Sequence, residues 1–582
     1  MTRTIALGEQ DFGKIIENDY FYIDKTDFIK EWWENGDTVT LITRPRRFGK
    51  TLTMKMAEQF FSIRYAGRSD LFERFTVWHE ETYQKLQGTY PVIFLSFAAI
   101  KADRYEMAKK KICQLIVNLY QDHDFLVKSG FLQGEDLAFY QRISVSMDRA
   151  DLENSLCQLS RYLRRYYGKK VILLLDEYDT PMQEAYTKGF WDELAELMRG
   201  LLNSAFKTNT DLERGLMTGI TRVSKESIFS DLNNLEAVTT TSSKYATAFG
   251  FTEEEVIEAL EEFGLQDQSD GVKRWYDGFR YGNCSSIYNP WSITQFLDKR
   301  EFKPYWANTS SNALVGKLIR ESDRDIKIAV EDLIEGKSFR IALDEQIVFH
   351  ELDNNPDAVW SLLLASGYLK IASICSVNKE YELLEEPAEY ELTLTNHEIV
   401  LAFQKMIRGW FGVCKSSYND FIRSLLHNDP DGMNEYLSRV AFAAVGSFDS
   451  AGKLSEQMQP EKFYHGLVLG MILDLRNKYV LTSNRESGFG RYDILLEPRS
   501  IADDAILFEF KVFHAKKEKS LEDTVRAAIK QVIDKKYAAV LQEKGVPMEK
   551  IRVYGVAFKG KEVLVDGGYL GEFERESCVS RL

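Results

Sequence analysis

The chain has 582 residues, of which 44% are hydrophobic and 28% are charged, and its formal net charge is −15. This length exceeds what one hydrophobic core organises, and at about 150 residues per domain it predicts three or four domains. The acidic balance argues against a surface that is basic overall. It leaves room for a local basic groove, because nucleic-acid binding follows the distribution of charge.

The sequence shows no membrane or signal-peptide pattern and no cysteine spacing typical of disulfides or a zinc site. No apolar run reaches the roughly 18 residues that a membrane span requires, and the first residues, MTRTIALGEQDFGK, lack the apolar core of a signal peptide. The six cysteines are scattered and include no CxxC pair. We therefore expect no membrane segment, no disulfide framework and no zinc site, and we predict a cytoplasmic location.

The first motif is Thr38–Thr51, in which a β-branched apolar run gives way to a basic loop that ends in Gly-Lys-Thr. Apolar residues beyond the loop recur at helical spacing, so the stretch predicts a strand, a tight loop and a helix. Such a helix start binds phosphate, with Lys50 reaching the β- and γ-phosphates and Thr51 ligating Mg²⁺. The generic motif places glycine at Arg44, so a chance Gly-Lys-Thr in a surface turn is the alternative from this stretch alone.

A second motif further along the chain favours nucleotide binding. Val171–Leu175 is a short, wholly apolar run, as expected of a strand buried on both faces of a parallel sheet. Asp176 and Glu177 follow at its carboxyl end, where ligands bind in open α/β sheets. Asp176 is predicted to hold Mg²⁺, directly or through water, and Glu177 to orient and deprotonate the attacking water. The strand-like run Val92–Phe97 between the motifs favours the P-loop subclass with a catalytic glutamate.

A third strand is predicted at Gly215–Ile220. Thr218 near its tip is placed to sense the γ-phosphate, and Arg222 just beyond it to stabilise charge in the transition state. Polar residues also occur wherever a strand leaves a sheet for solvent, and that explanation stays open. The predicted nucleotide contacts are Arg46, Arg47, Phe48, Gly49, Lys50, Thr51, Asp176 and Thr218.

Three stretches carry a resemblance to a known family: RPRRFGKT (44–51), LLLDEYD (173–179) and MTGITRVSKESIFSDLNNL (217–235). They resemble the bacterial AAA-ATPase-like family, close to the STAND and archaeal-type ATPases. Arg44-Pro45-Arg46-Arg47 is typical of that family, so the missing glycine counts less against nucleotide binding. Further matching pieces are FGFTEEEV (249–256), WYDGFRYG (275–282), YNPWSI (288–293), YWANTSSN (305–312) and SGYL (366–369). The resemblance covers most of the chain.

The middle of the chain predicts helical modules. Acidic helical stretches and aromatic turns over 249–340 predict a helical lid, whose tryptophans and tyrosines we interpret as core. From 341 to 415 a helix, two strand-like runs and a second helix predict a winged-helix-like module. Its acidic stretch KEYELLEEPAEYE (379–391) would repel phosphates, so we favour a structural role over DNA binding. A helical connector over 416–455 follows.

A second group of reactive side chains lies in 456–582. Asp493 precedes a strand-like run, and Glu509 and Lys511 alternate on another such run, AILFEFKVF. Period-2 alternation puts Glu509 and Lys511 on one face of that strand. Carboxylate oxygens of this kind hold Mg²⁺ or Mn²⁺, which lowers the pKa of a bound water. Lys511 is placed to position that water or to stabilise the developing phosphorane charge.

This arrangement resembles the PD-(D/E)XK nuclease superfamily, in the version fused to an AAA-ATPase-like domain. The resemblance implies catalytic roles for Asp493, Glu509 and Lys511. It also implies that Glu461 on the preceding helix is a further metal ligand, and Gln531 matches a glutamine found after the core in some members. The predicted metal ligands are Thr51 and Asp176 in the first site and Glu461, Asp493 and Glu509 in the second.

A local excess of positive charge accompanies this second group. Between Lys511 and Lys536 there are eight Lys or Arg residues and four Asp or Glu residues, a surplus of four positive charges in an acidic chain. Contact with nucleic-acid phosphates explains this surplus, and a solvated helix face explains it almost as well. Some members of the superfamily have lost cleavage activity and still bind, so the resemblance alone does not establish cleavage.

The predicted fold class is α/β: a P-loop NTPase parallel-sheet domain, a helical and winged-helix-like middle region, and a C-terminal PD-(D/E)XK nuclease-like α/β domain. The predicted segments are 1–248, 249–340, 341–415, 416–455 and 456–582. We expect ATP and Mg²⁺ at the first site, Mg²⁺ or Mn²⁺ at the second, and cleavage of DNA, rather than RNA, regulated by nucleotide state. A homo-oligomer is left open.

Two rival functions remain at this point. One is an ATP-driven switch or scaffold, in defence or mobile-element biology, whose nuclease-like domain binds nucleic acid or protein without cleaving. The other is a P-loop phosphotransferase, which needs an acceptor pocket. Asp176 and Glu177 at the end of a strand favour hydrolysis over phosphotransfer.

Overall fold

The structure is a computed structural model of the chain. It describes residues 2–221, 229, 232–307, 318–319, 324–334, 336–343, 358–375, 389–410, 418–438, 468, 472, 475, 478–483, 486–487, 490–500, 503–515, 518–559 and 562–573. The chain forms two compact units, Met1–Ala402 and Phe403–Leu582. Among the described helices, none is long and apolar enough to cross a membrane.

The first unit contains a parallel sheet, as predicted, and this sheet has five described strands. Its strands are β1 Val39–Thr43, β2 Val92–Ser96, β3 Val171–Asp176, β4 Leu212–Gly219 and β5 Leu235–Val238, in the spatial order β2-β3-β4-β1-β5. Every residue of β1 and β3 is buried, which is why both read as continuous apolar runs. Because β4 lies between β1 and β3, the carboxyl ends of these three strands meet at one edge of the sheet.

Helices cover the two faces of this sheet. Leu173 and Leu175 of β3 pack into one hydrophobic cluster, whereas Ile172 and Leu174 pack into another, as strand alternation requires. The helices of this part are Phe12–Glu17, Asp27–Asn35, Lys50–Phe61, Glu81–Leu86, Tyr105–Gln121, Phe125–Lys128, Gly134–Arg142, Arg149–Tyr167, Thr180–Lys188 and Trp191–Leu202.

The described part of the first unit beyond this sheet is largely helical. The lid region, which we define as the described residues 249–307, contains a two-stranded sheet of β6 Phe279–Tyr281 and β7 Cys284–Ile287. Its helices are Glu253–Glu262, Ser269–Tyr276 and Pro290–Lys299. The first of these begins with a capping box between Thr252 and Glu255, which satisfies two backbone donors at the helix start.

A small antiparallel sheet follows the lid region. It consists of β8 Phe339–Ala342, β9 Leu369–Cys375 and β10 Glu389–Leu394 in the order β8-β10-β9. The helices around it are Arg324–Ile334, Ala358–Ala365 and His397–Trp410. The helix, two strands and helix expected here are therefore present. Most of the acidic stretch 379–391 lies outside the described residues.

The second unit contains a mixed five-stranded sheet. Its strands are β11 Tyr479–Ser483, β14 Ile494–Pro498, β15 Ala505–Val512, β16 Ile551–Lys559 and β17 Glu562–Tyr569, in the order β11-β14-β15-β16-β17, and β12 Glu486–Ser487 and β13 Gly490–Arg491 pair separately. Among the described strands of this sheet, only β15 and β16 are parallel neighbours. The helices Leu521–Asp534 and Ala539–Glu543 supply the crossover that a parallel pair needs. The helix Tyr418–Leu426 also belongs to this unit.

Candidate functional site

The phosphate loop, residues 44–49, ends at the start of a helix. Gly49 has a φ of 83° and immediately precedes the helix Lys50–Phe61. Glycine adopts this left-handed backbone without strain because it has no Cβ. Arg47 also has a positive φ, 64°, which is costly for a side chain of its size. The loop therefore ends where the N–H groups of the helix favour an anion.

Lys50 lies buried inside this loop. Its Nζ donates hydrogen bonds to the backbone carbonyls of Arg44, at 2.9 Å, and Pro45, at 2.8 Å. Burial lowers the pKa of Lys50, and nearby carboxylates, with Glu177 first among them, oppose that shift. Phosphate oxygens are stronger acceptors than carbonyls because they are charged. The position of Lys50 therefore fits phosphate binding.

Asp176 at the end of β3 accepts hydrogen bonds from three hydroxyl groups. Its Oδ2 accepts from Thr51 Oγ1 at 2.9 Å and from Ser96 Oγ at 3.2 Å. Its Oδ1 accepts from Thr218 Oγ1 at 2.7 Å. Burial raises the pKa of Asp176, whereas the bond from Thr218 opposes the rise. Carboxylate and hydroxyl oxygens are the hard ligands that Mg²⁺ prefers, so Thr51 and Asp176 fit the predicted metal.

Glu177 follows Asp176 with an unusual backbone. Its φ is 49°, a left-handed value that non-glycine residues rarely adopt and that often accompanies function. Its N–H lies 3.4 Å from Thr218 Oγ1, and its Oε2 accepts from Thr180 Oγ1 at 3.2 Å. The side chain is half-buried, so it combines a fixed position with access to water. This combination suits the predicted general base.

Arg44 explains why this loop lacks the usual glycine. Its guanidinium is fully buried, donates to the carbonyl of Thr239 at 3.1 Å, and stacks 4.0 Å from the ring centroid of Tyr281. Phe48, a predicted nucleotide contact, has its ring buried against Phe279 with centroids 4.8 Å apart. Both side chains anchor the loop to the rest of the protein. Because its ring is buried, Phe48 would contact nucleotide through its backbone.

The lid region contacts the phosphate loop. The carbonyl of Arg46 accepts from Trp306 Nε1 at 2.8 Å and from Asn289 Nδ2 at 3.4 Å. The guanidinium of Arg47 lies 4.4 Å from the ring centroid of Trp291, close enough for a cation–π interaction. Sequence reasoning interpreted the tryptophans of this region as core, and Trp306 is indeed buried. It did not anticipate that the Nε1 of Trp306 and the ring of Trp291 contact the loop.

Glu398 holds this part of the lid region in place. The buried carboxylate accepts from Ser292 Oγ at 2.8 Å and from the backbone N–H groups of Trp306 and Ala307. Burial raises the pKa of Glu398 to about 7. Its partners lie 92 and 106 positions away for Trp306 and Ser292, so no local pattern in the sequence identified it.

The second site lies on β15 and the residue that precedes β14. The antiparallel register pairs Ile494 with Phe508. Asp493, which precedes Ile494, therefore lies next to Glu509, which follows Phe508. Both carboxylates are buried, at 7% and 4% exposure. Asp493 Oδ2 accepts from the backbone N–H of Phe510 at 2.8 Å, which fixes the carboxylate beside β15.

Gln531 on the crossover helix joins the two functional residues of β15. Its Oε1 accepts from Lys511 Nζ at 2.6 Å, and its Nε2 donates to Glu509 Oε1. The Nε2 also lies 3.2 Å from the hydroxyl of Tyr537. Glu509 and Lys511 therefore share one face of β15, as the alternation predicted.

The donor set of this site fits a divalent metal in part. Asp493 and Glu509 offer the hard oxygen atoms that Mg²⁺ or Mn²⁺ takes. No cluster of three or more His, Cys, Asp or Glu side chains suited to a metal occurs in the part of the chain that the structure describes. The predicted third ligand, Glu461, and the predicted catalytic Arg222 lie outside the described residues, so their roles stay predictions.

Gly555 lets the crossover helix approach the sheet, a feature that sequence reasoning missed. It pairs with Glu509 across β15 and β16. A Cβ at Gly555 would lie 2.7 Å from the carbonyl oxygen of Val525 and 3.2 Å from the Cβ of Ala528. A glycine inside a strand that is otherwise apolar is a signal of such close approach. This approach brings Gln531 within reach of β15.

The fold and the two sites together define a protein with a P-loop-type parallel sheet and a PD-(D/E)XK-type mixed sheet. Residues 6–229 match the family described as Predicted AAA-ATPase, and residues 459–567 match the PD-(D/E)XK nuclease superfamily. The chain therefore carries an AAA-ATPase-like segment followed by a PD-(D/E)XK nuclease-superfamily segment, and the resemblance stated from the sequence is confirmed. The chain is also similar to the "Uncharacterized protein in vnfD 5'region" of Azotobacter chroococcum mcd 1, at 25% identity over 566 residues and 96% of both chains.

Proposed function

We propose that this protein hydrolyses ATP in its first unit and cleaves DNA with a divalent metal in its second, and that nucleotide state regulates the cleavage. The observation that carries the proposal is the 2.9 Å hydrogen bond between Thr51 and Asp176. It joins two motifs 125 positions apart into one site with the donors and acceptors of a Mg²⁺–nucleotide site.

At the first site, the chain's own residues account for binding and hydrolysis. Lys50 binds the phosphates, and Thr51 and Asp176 would hold Mg²⁺, which neutralises phosphate charge when bound. Glu177 accepts a proton from the attacking water, and its strained backbone fixes it beside Asp176. Thr218 contacts both acids, so it is placed to respond to the γ-phosphate.

At the second site, Asp493 and Glu509 would hold Mg²⁺ or Mn²⁺, with Glu461 as the proposed further ligand. The metal supplies an activated water and charge stabilisation when bound. Lys511 orients the nucleophilic water and stabilises charge on the attacked phosphate. Gln531 fixes the positions of Lys511 and Glu509.

Regulation by nucleotide is supported by the contacts between the lid region and the phosphate loop. The carbonyl of Arg46 bonds to Trp306, which in turn is held by Glu398 at the start of the helix His397–Trp410. This helix continues into the residues of the second unit. We propose that a change of the phosphate loop on binding nucleotide acts through these contacts on the start of this helix.

The test measures ATP hydrolysis, and cleavage of plasmid, linear and single-stranded DNA with Mg²⁺ or Mn²⁺, with and without ATP. We expect Lys50→Ala to abolish ATP turnover, and Glu509→Ala or Lys511→Ala to abolish cleavage while ATP turnover continues. Cleavage that persists in both second-site variants would overturn the nuclease assignment. ATP turnover without cleavage under any condition would leave a nucleotide-driven switch.

A further inference from the structure

A buried carboxylate next to the nucleotide site has no part in the chemistry described above. Asp179, the last residue of the DEYD run, is 1% exposed. Its Oδ2 lies 2.9 Å from the N–H of Ile220, and 3.0 and 3.1 Å from the N–H and Oγ1 of Thr221. These donors form the turn after β4, which leads into Arg222. Asp179 therefore holds the strand tip where γ-phosphate sensing is proposed.

Gln183 links the same carboxylate to the phosphate loop. It lies one helical turn after Asp179, on the helix Thr180–Lys188. Its Nε2 donates to Asp179 Oδ2 at 2.9 Å, and its Oε1 accepts from the guanidinium of Arg46 at 3.3 Å. Through Asp179, this amide therefore links the loop that follows β1 to the turn that follows β4.

The surroundings of Asp179 hold its carboxylate in a closely packed site. A Cβ on Gly219 would lie 2.9 Å from Asp179 Oδ1, so the glycine makes room for the acid. Burial raises the pKa of Asp179, while the N–H groups of Thr221 and Ile220 and the charge of Lys50 stabilise its ionised form. A carboxylate is a stronger acceptor for these donors than a neutral amide.

We propose that Asp179 and Gln183 are positioning residues for ATP hydrolysis, which set the turn after β4 and the Arg46 side chain relative to the bound triphosphate. The inference rests on the proposed ATPase function. It assigns the two residues different tasks because, of the two, Gln183 contacts Arg46 and Asp179 contacts the turn after β4.

These tasks predict different kinetic signatures. Arg46 belongs to the loop that contacts the nucleotide before reaction, so loss of its anchor weakens binding of ground state and transition state alike. Such a loss raises KM and leaves kcat unchanged. The turn after β4 precedes Arg222, which is predicted to stabilise charge that develops during hydrolysis. We therefore expect a looser turn to lower kcat with little change in affinity.

The experiment compares four full-length proteins: wild type, Gln183→Met, Asp179→Asn and the control Gln87→Met. Gln87 is also half-buried and donates through Nε2, to the carbonyl of Tyr65 at 2.8 Å, but it has no part in the site. Affinity is measured by calorimetric titration with a non-hydrolysable ATP analogue, the rate by single-turnover hydrolysis at saturating ATP, and folding by thermal melting.

We expect Gln183→Met to weaken affinity by about fivefold with a rate within about twofold of wild type. We expect Asp179→Asn to lower the rate by about tenfold with nearly unchanged affinity, since the amide keeps the shape but not the charge. Gln87→Met should match wild type in both quantities. If Asp179→Asn does not fold, Thr221→Val, which removes one donor to Asp179, replaces it, with a smaller loss of rate.

Two results would overturn this inference while the proposed function stands. One is wild-type affinity and rate in both site variants. The other is a parallel loss of affinity and rate in each variant together with a lower melting temperature, which would indicate a purely structural role. If wild type binds no nucleotide and hydrolyses none, the proposed function fails and the inference fails with it.

Discussion

The two candidate sites support their charged groups in different ways. In the nucleotide site, the carboxylate of Asp176 accepts from three hydroxyl groups supplied by separate elements. In the second site, the amide of Gln531 contacts both Glu509 and Lys511. The first site places several donors around one acid, whereas in the second one side chain contacts two functional groups.

This difference follows from where each site lies on its sheet. The carboxyl ends of parallel strands meet at one edge, so several strand tips supply side chains to the same point. The second site instead uses the face of β15, where, among the described residues, the helix Leu521–Asp534 packs on the strand. We infer that the nucleotide site tolerates the loss of one supporting side chain better than the second site does.

The largest expected effect is the loss of the lysine on β15. Lys511→Ala should lower DNA cleavage by about a thousandfold, because removal of one preorganised stabilising group in a closed site commonly has this size of effect. ATP hydrolysis should remain within about twofold of wild type. Both rates are measured on the same preparation, with Lys544→Ala, an exposed lysine paired with Glu497, as the control. Equal cleavage by the two variants would contradict the assignment.

The next prediction tests the contact that Glu509 and Lys511 share with Gln531. Gln531→Leu should lower cleavage by about 10- to 100-fold and raise the metal concentration needed for half-maximal rate, since it leaves Glu509 and Lys511 without their shared partner. Titration of Mn²⁺ in the cleavage assay measures both quantities. A variant with the metal dependence of wild type would show that other contacts position Glu509.

The matching prediction for the nucleotide site is smaller. Thr218→Val should lower ATP hydrolysis by only about three- to tenfold, because Thr51 and Ser96 still donate to Asp176. Single-turnover hydrolysis measures the loss, and thermal melting shows that the isosteric variant folds. A loss as large as that expected for Lys511→Ala would mean that the two sites are equally sensitive, contrary to the comparison.

The smallest expected effect concerns pH. The pKa of Glu398 rises from 4.5 to about 7 through burial, so the folded protein binds this proton more tightly than the unfolded chain does. Protonated Glu398 therefore contributes fully to the free energy of unfolding below pH 4.5, and this contribution is lost as pH rises to about 7. Tyr276 and Tyr305, which lie within its electrostatic reach, remain neutral over this range.

Melting curves of wild type and Glu398→Gln between pH 5 and 8 measure this contribution. The two proteins should have similar melting temperatures at pH 5, whereas the variant should gain a few degrees over wild type at pH 8, where wild type alone carries the buried charge. A constant difference across this range would show that Glu398 does not titrate.

The sequence predicted those parts of the fold whose signal is local. Val171–Leu175 is apolar throughout because β3 is buried on both faces, and its end marks Asp176. The alternation of β15 likewise placed Glu509 and Lys511 on one face, where Gln531 contacts both. In each case one strand carries the whole pattern, so no knowledge of distant residues was needed.

The networks around the sites could not be predicted in the same way. Glu398 bonds to Trp306 across 92 positions, and Arg46 bonds to Gln183 across 137. Neither pair is marked by spacing, because glutamate and glutamine are common on solvated helix faces. Gly555 was a detectable signal, because it is a glycine in an apolar strand. The reason for the glycine, close packing of the helix Leu521–Asp534, is visible only in the structure.

The burial of Arg44 has a thermodynamic consequence. Its hydrogen bonds to the carbonyls of Thr239 and Tyr245 and its stacking on Tyr281 order the start of the phosphate loop during folding. The conformational entropy of that segment is therefore lost before any ligand arrives, and a nucleotide need not supply the free energy to order it. With arginine in place of the usual glycine, the loop has less backbone freedom, and its binding surface is already formed before a ligand arrives.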